Sequence, residues 1–284
     1  MVKGLIWETD ALSFRGLRLL TTRATVGYDA AMDAEFFLSL LPFTLILCAG
    51  IFVQAAAGFA GGLIIVPALL WFGYSLPAAQ CALLVATIPQ NSWGVWSLRE
   101  SIAWKEVAWP GFGRIAFLPV GVIGLQMLES LQVDTIRQVV GAVVLMVTLA
   151  IMVFRPKPRE KLHPIWAMIA FPISGFLQGL VGMGGPAMVF WVQAHDWGTK
   201  KARAFLFAMY LVSIFPAMGF LYAGFGNRIL RAGMVAAALI PLLLVVTFFG
   251  LKCGTMLGRE RLRRVTLGLL LIMGVSGLLA PMLN

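Results

Sequence analysis

The feature that most constrains this chain is its succession of apolar segments, most of them long enough to cross a lipid bilayer. About 18 or more consecutive apolar residues indicate a transmembrane helix. The segments cover residues 36–58, 63–73, 76–98, 109–128, 136–154, 164–181, 186–194, 204–224, 232–252 and 265–283. Because a chain in lipid satisfies its backbone polar groups within helices or closed barrels, the pattern predicts an all-α polytopic membrane protein.

The composition and the placement of charge exclude a soluble protein and a nucleic-acid-binding protein. Charged residues make up 12% of the chain, against about 25% in soluble domains. The formal net charge of +10 comes from Lys and Arg in short loops, the distribution expected of cytoplasmic loops in membrane proteins. Basic loops without an aromatic patch predict no nucleic-acid partner. The expected partners are membrane lipid and a small anionic substrate.

Neither cysteine nor histidine forms a metal-binding pattern in the sequence. Cys48, Cys81 and Cys253 are far apart, and His163 and His195 flank loops. We therefore expect no metal site, no disulfide framework and no cofactor.

The loop charges predict which way each segment crosses the membrane. Basic residues within 155–161, 200–203 and 252–264 place these three loops in the cytoplasm. Residues 164–197 therefore leave the cytoplasm and return to it, which predicts a re-entrant hairpin. Counting the predicted crossings from these loops toward each end of the chain places the N- and C-termini on the periplasmic side of a bacterial inner membrane.

The chain divides into two similar halves. We predict an N-terminal arm at 1–35, in which 11–20 could form an amphipathic helix, a first repeat at 36–154, a basic cytoplasmic linker at 155–163, and a second repeat at 164–284. Each repeat is a glycine-broken re-entrant hairpin followed by three transmembrane helices. Three crossings is an odd number, so the second repeat is inverted.

Motifs recur in the same order in the two halves. Gln54 and the segment 58–61 match Gln178 and the segment 182–185, and further matches follow in each half. Internal matches at nearly constant offset indicate a repeat.

The two glycine-rich breaks are the predicted substrate site. Inverted repeats with broken helices are typical of secondary transporters, and a helix N-terminus directs free N–H groups and positive potential at an anion. The alternative is that these glycines serve only close helix packing. The candidate glycines are Gly58, Gly61 and Gly62 in the first break and Gly182, Gly184 and Gly185 in the second.

Polar side chains close to the breaks complete the predicted site. Since the predicted spans contain almost no acidic residue, amides and backbone dipoles would bind an anion. Arg114, near the start of a predicted span, is interpreted as an interfacial cation that snorkels to the headgroups. The candidate side chains are Gln54, Gln90, Asn91, Gln178, Tyr210 and Ser213.

The paired breaks resemble a known signature. Gly58-Phe59-Ala60-Gly61-Gly62, followed by Pro67, and Gly182-Met183-Gly184-Gly185-Pro186 are similar to the two motifs of the TauE/SafE sulfite exporter family. The resemblance covers about residues 40 to 283. It implies a permease for sulfur-containing or other small organic anions such as sulfite or sulfonates. The sequence departs from the family pattern at Ala60 and Pro186.

Other functions remain open at this stage. A passive small-anion channel could use the same scaffold, and so could a lipid-handling or assembly subunit. An enzyme is not expected, because Ser92 and Ser213 have no intramembrane base at helical spacing. Faces of small residues would allow a homodimer.

Overall fold

The described part of the chain is helical. The computed structural model describes residues 25–57, 60–153, 158–159, 162–257 and 259–279. Side chains are described from residue 40 onward within these ranges, except at 57, 199, 254–255, 257 and 259–266. Among these residues the one β-type pairing is a bridge between Arg159 and His195.

The helices follow one another through short connections. Two 3₁₀ turns, Arg99–Ser101 and Gly226–Ile229, precede α4 and α9. The α-helices are α1 Thr25–Ala57, α2 Gly61–Trp71, α3 Leu76–Ser97, α4 Trp104–Glu129, α5 Val133–Val153, α6 Pro164–Val181, α7 Gly185–Gln193, α8 Thr199–Phe225, α9 Leu230–Ala238, α10 Ile240–Leu257 and α11 Arg259–Leu278.

Within the described ranges, four stretches are long and apolar enough to cross a membrane. They are Trp104–Glu129, Val133–Val153, Pro164–Val181 and Lys200–Ala238. Shorter apolar helices include α2, of 11 residues, and α7, of 9 residues. At 1.5 Å per residue, α2 and α7 span roughly half of a 30 Å hydrocarbon core. The chain is therefore a multi-pass membrane protein with two half-length helices.

Several helix boundaries differ from the predicted segments. Helix α1 begins at Thr25, so residues 25–35 of the predicted arm are helical, while the amphipathic stretch 11–20 lies outside the described residues. The predicted span 232–252 consists of α9 and α10, which are separated at Leu239. Pro241 explains this break, because its ring lacks an N–H and clashes with the carbonyl four residues earlier.

Part of the predicted linker contacts the loop before α8. The Arg159 N–H donates to the Ala194 carbonyl at 2.9 Å, and the Asp196 N–H donates to the Arg159 carbonyl at 3.0 Å. Residues 154–157 and 160–161 lie outside the described part.

The chain separates into two compact units, Met1–Leu41 and Pro42–Asn284. The second unit contains the two half-length helices and the cavity described below. Within it, α2 is buried along most of its length, including Leu63, Ile65 and Leu69. A half-length helix is stable at membrane depth only where protein or a wet cavity surrounds its ends, and α2 has such an environment.

Glycines allow two helix pairs to approach closely. On α4 and α6, a Cβ added to Gly121 would lie 2.8 Å from the Gly179 Cα. On α5 and α11, a Cβ added to Gly141 would lie 2.8 Å from the Gly277 Cα. Small residues that let backbones approach closely are enriched at the interfaces between transmembrane helices.

Candidate functional site

The two helix breaks border one cavity of about 40 Å³. A water molecule needs roughly 10–15 Å³ by this measure, so the cavity has room for a few waters or one small anion. Most of the residues predicted from sequence line it. These are Gln54, Gly61, Gly62, Gln178, Gly182, Gly185, Tyr210 and Ser213.

The remaining predicted residues lie elsewhere. Gly58 is outside the described residues. Gly184 is not part of the lining, and its carbonyl accepts from the Ser174 hydroxyl at 2.5 Å. Gln90 and Asn91 are also absent from the lining; they are buried farther along α3.

The N-termini of both half-length helices reach the cavity. Helix α2 begins at Gly61 and α7 at Gly185, and within the described residues neither end has a side-chain cap. A Cβ added to Gly62 would lie 2.8 Å from the Gly182 carbonyl oxygen, so the two breaks are in contact. Two uncapped helix N-termini at one cavity give a positive electrostatic potential.

The second break has a clear local cause in the sequence. Gly182 adopts φ +73°, a left-handed conformation that glycine tolerates best. Its N–H donates to the Gln178 carbonyl at 3.0 Å, and the Met183 N–H donates to the Leu177 carbonyl at 3.2 Å. The bond from the Gly182 N–H to the carbonyl four residues earlier is the αL motif that ends helices. Pro186, in the first turn of α7, then fits without loss because no N–H is needed there.

The first break contains a strained residue. Ala60 has φ +83° and is the non-glycine residue with positive φ among those described. A side chain in this region of backbone space is disfavoured by roughly 1–2 kcal/mol. The equivalent position in the second break is Gly184.

Arg114 of α4 is the principal charge at the cavity. Its side chain lines the cavity, and the residue is 1% exposed. The Nε–H donates to the Ser213 hydroxyl at 3.1 Å, and Nη2 donates to the Gln178 amide oxygen at 3.3 Å. The guanidinium carbon also lies 5.7 Å from the centre of the Tyr210 ring.

The other terminal nitrogen ties α4 to the second break. Arg114 Nη1 donates to the Ser174 hydroxyl, to the Gly184 carbonyl at 3.4 Å and to the Met188 sulfur at 2.8 Å. The same Gln178 oxygen that accepts from Arg114 also accepts the Gly184 N–H at 3.2 Å. Arg114 and Gln178 are therefore fixed in position by the break.

No carboxylate compensates this cation within the described residues. Ion pairs formed elsewhere include Arg137–Asp134 at 3.2 Å and Lys201–Glu106 at 2.8 Å, and neither involves Arg114. The groups bonded to Arg114 are all neutral. The cavity wall thus carries a full positive charge.

The interpretation of Arg114 as a snorkelling, interfacial residue is wrong. The apolar pattern predicts that the span begins at 109, but α4 begins at Trp104. Arg114 is therefore about 7 Å deeper in the helix than expected. Gly175 contributes to its burial, because a Cβ added there would overlap the backbone of Arg114.

The chemistry of the site favours a small anion. Its donors are a guanidinium, two helix N-termini, and amide and hydroxyl groups; no acid is bonded to the guanidinium. Among the described residues no cluster of His, Cys, Asp or Glu could hold a metal ion.

The fold and the cavity together define a multi-pass helical membrane protein with a buried cationic site. The sulfite exporter TauE/SafE family profile matches residues 42–277, and the chain belongs to this family. A protein from Cupriavidus necator, named a probable sulfite/organosulfonate exporter TauE, is 25% identical over 249 residues, covering 86% of this chain and 96% of its own. A comparison with solved structures gave no match.

Proposed function

We propose that this protein is a secondary transporter that binds a small sulfur-containing or organic anion, such as sulfite or a sulfonate, in the cavity at the two helix breaks. The protein would move this anion across the bacterial inner membrane. The family of the chain is named for sulfite export, which supports the class of cargo. The name of the Cupriavidus necator relative also includes organosulfonates.

The observation that carries the proposal is the buried charge of Arg114. Removing an unpaired ion from water costs several kcal/mol, and its neutral hydrogen-bond partners offset only part of that cost. An anion in the adjoining cavity would supply the missing negative charge. The helix N-termini at Gly61 and Gly185 lie at the same cavity. Their partial positive charges would attract the anion as well.

The packing of the helices supports an arrangement of two related halves. Both halves contain a long helix, a break, a short helix and three further helical stretches. If the halves are related, α3 corresponds to α8, α4 to α9 and α5 to α11. The contact of α4 with α8 then has its counterpart in the contact of α9 with α3. The corresponding helices α3 and α8 also contact each other, and so do α5 and α11. Inverted repeats of this kind alternate access to a central site by moving one half against the other.

A counterflow experiment tests the proposal. Proteoliposomes loaded with unlabelled sulfite should take up radiolabelled sulfite faster than empty ones, and the uptake should saturate. The Arg114→Gln variant should lose this uptake, whereas Arg137→Gln, which changes an arginine paired with Asp134, should keep it. Uptake that never saturates and is not stimulated by internal sulfite would instead favour a channel. Uptake that is identical in Arg114→Gln would contradict the proposed site.

A further inference from the structure

We infer that the cargo passes between the cavity and the end of α3 near Arg99 through a second polar site, formed by Gln90 and Asn91 between α3 and α8. In the described conformation Phe207 closes this path. The identity of the cargo rests on the proposed function. The path itself is argued from helix packing alone.

The two amides are deeply buried and lack a hydrogen-bond partner among the described residues. Gln90 is 2% exposed and Asn91 is 1% exposed. In the described part of the chain, none of their four side-chain nitrogen and oxygen atoms has a hydrogen-bond partner. Most buried polar side chains in proteins are satisfied. Two adjacent unsatisfied amides therefore indicate a place where a polar species binds during the functional cycle.

The helical register places these amides on the face of α3 that lines the cavity. Thr87 is part of the cavity wall. Gln90, Asn91 and Gly94 follow it by three, four and seven residues, which is the spacing of one helix face. Gly94 is about 10 Å along the axis from Thr87. The polar face of α3 thus continues from the cavity toward the end of the helix near Arg99.

Helix α8 lies opposite this face and provides the closure. Tyr210 of α8 lines the cavity, and Phe207 precedes it by three residues on the same face. The Phe207 ring packs directly on Gly94, where an added Cβ would overlap the ring. An apolar ring on a bare backbone excludes water from the space between the two helices.

The charges beyond this closure suit an anion. Arg203 lies one further turn before Phe207 and seven residues before Tyr210, on the same face of α8. Lys200 also lies at the start of α8, beside Lys201, which is paired with Glu106. Asn91 and Gln90 each offer an NH₂ group that can replace part of an anion's hydration shell. A small anion would thus meet the cations at the start of α8, then the two amides, and then the guanidinium of Arg114.

Cysteine accessibility tests the path without any assumption about cargo. In a variant whose three native cysteines are replaced by alanine, Asn91→Cys is exposed to an anionic, membrane-impermeant thiol reagent from the Lys200 side, because the path is argued to admit anions. The matched control is Ala82→Cys, which is 0% exposed and nine residues earlier, on the opposite face of α3. Adding Phe207→Ala should raise the labelling rate of Asn91→Cys about tenfold, because the rate follows the open population, and should leave Ala82→Cys unreactive.

Two outcomes decide the inference. If Asn91→Cys reacts no faster than Ala82→Cys when Phe207 is replaced by alanine, no path exists on this face. If Phe207→Ala is not monodisperse after purification, Phe207→Leu provides the same comparison.

Gln90→Leu with Asn91→Leu should retain thermal stabilisation by sulfite but lose sulfite counterflow. Phe207-dependent labelling in a protein that does not respond to sulfite would uphold the path and overturn the proposed cargo.

Discussion

At the scale of single residues, the site is a cationic side chain held by neutral groups. Gln178 links the guanidinium to the second break, because its amide oxygen accepts hydrogen bonds from both Arg114 and the Gly184 N–H. Its match in the first half, Gln54, also lines the cavity, and its side-chain oxygen lies against Gly61. The two amides therefore occupy corresponding places, but only Gln178 contacts the charge in the described contacts.

The Gln178→Glu variant should weaken anion binding. A carboxylate at this position would pair with Arg114 and cancel the positive charge of the cavity wall. We expect the affinity for sulfite to fall by about tenfold or more, equivalent to about 1.4 kcal/mol. Isothermal titration calorimetry of the purified protein measures this change.

The matched control for charge is Gln132→Glu, which adds a carboxylate at an exposed residue before α5. Screening by water and salt should leave the affinity for sulfite unchanged in this variant. Equal affinity in Gln178→Glu and in the parent protein would show that the charge of Arg114 does not bind the anion.

Ala60→Gly should stabilise the protein. Glycine removes the steric conflict at φ +83°, and part of this gain is offset by the greater entropy of the unfolded chain. The expected net increase in the free energy of unfolding is about 1 kcal/mol. Thermal unfolding in detergent should show a higher Tm, and an unchanged or lower Tm would mean that this backbone is not strained.

At the scale of helices, close packing through glycine positions the site. Gly175 and Gly179 bring α6 against α4 at Arg114 and Gly121. This contact determines where the guanidinium lies relative to the second break. Substitutions at the contact should therefore affect both stability and binding.

Gly179→Ala should be destabilising and Gly219→Ala should not. A Cβ at Gly179 would lie 2.9 Å from the Gly121 Cα, whereas nothing lies within 4 Å of one at Gly219 of α8. Overpacking costs typically 1–3 kcal/mol, while alanine in an open helical position gains about 0.5–1 kcal/mol. The Tm values of the two variants should move in opposite directions. A parallel shift would contradict the packing described for α4 and α6.

The sequence predicts the helices better than their exact limits. Glycine runs locate both breaks, because Gly182 is needed for a left-handed cap and Pro186 for a helix start. The sequence does not predict how deep Arg114 lies in its helix. Counting apolar residues assigns Trp104 to Ala108 to the membrane interface, so the predicted span begins only at residue 109. Gln90 and Asn91 were predicted to belong to the site, but one turn of helix separates them from Thr87 at the cavity wall. Hydropathy alone does not encode that distance.

At the scale of the whole molecule, the order of the elements is similar in the two halves, and the loop charges predict the orientation of each half in the membrane. The basic residues before α8, including Lys200 and Lys201, predict a cytoplasmic loop. An odd number of crossings per half then predicts that the two halves are inverted. The most direct consequence of this predicted topology is that both termini lie in the periplasm.

Fusions to the C-terminus test the topology. Alkaline phosphatase, which folds in the periplasm, should be active after Asn284, and green fluorescent protein should be dark there. The same reporters inserted after Gly198 should give the reverse result and serve as the control for expression. A fluorescent C-terminal fusion would contradict the inverted arrangement, because it would place an even number of crossings between the two reporter positions.

The central claim is that the cavity beside Arg114 binds a small anion, and thermal stabilisation of the purified protein tests it most directly. Sulfite, sulfate, thiosulfate, sulfoacetate, taurine, phosphonates and short carboxylates would be compared. A ligand present at 100 times its Kd adds about 2.7 kcal/mol to the folded state. We predict a raised Tm with one or two sulfur oxyanions in the parent and in Arg137→Gln, and no shift in folded Arg114→Gln. A flat response in the parent, or an equal shift in Arg114→Gln, would contradict the claim.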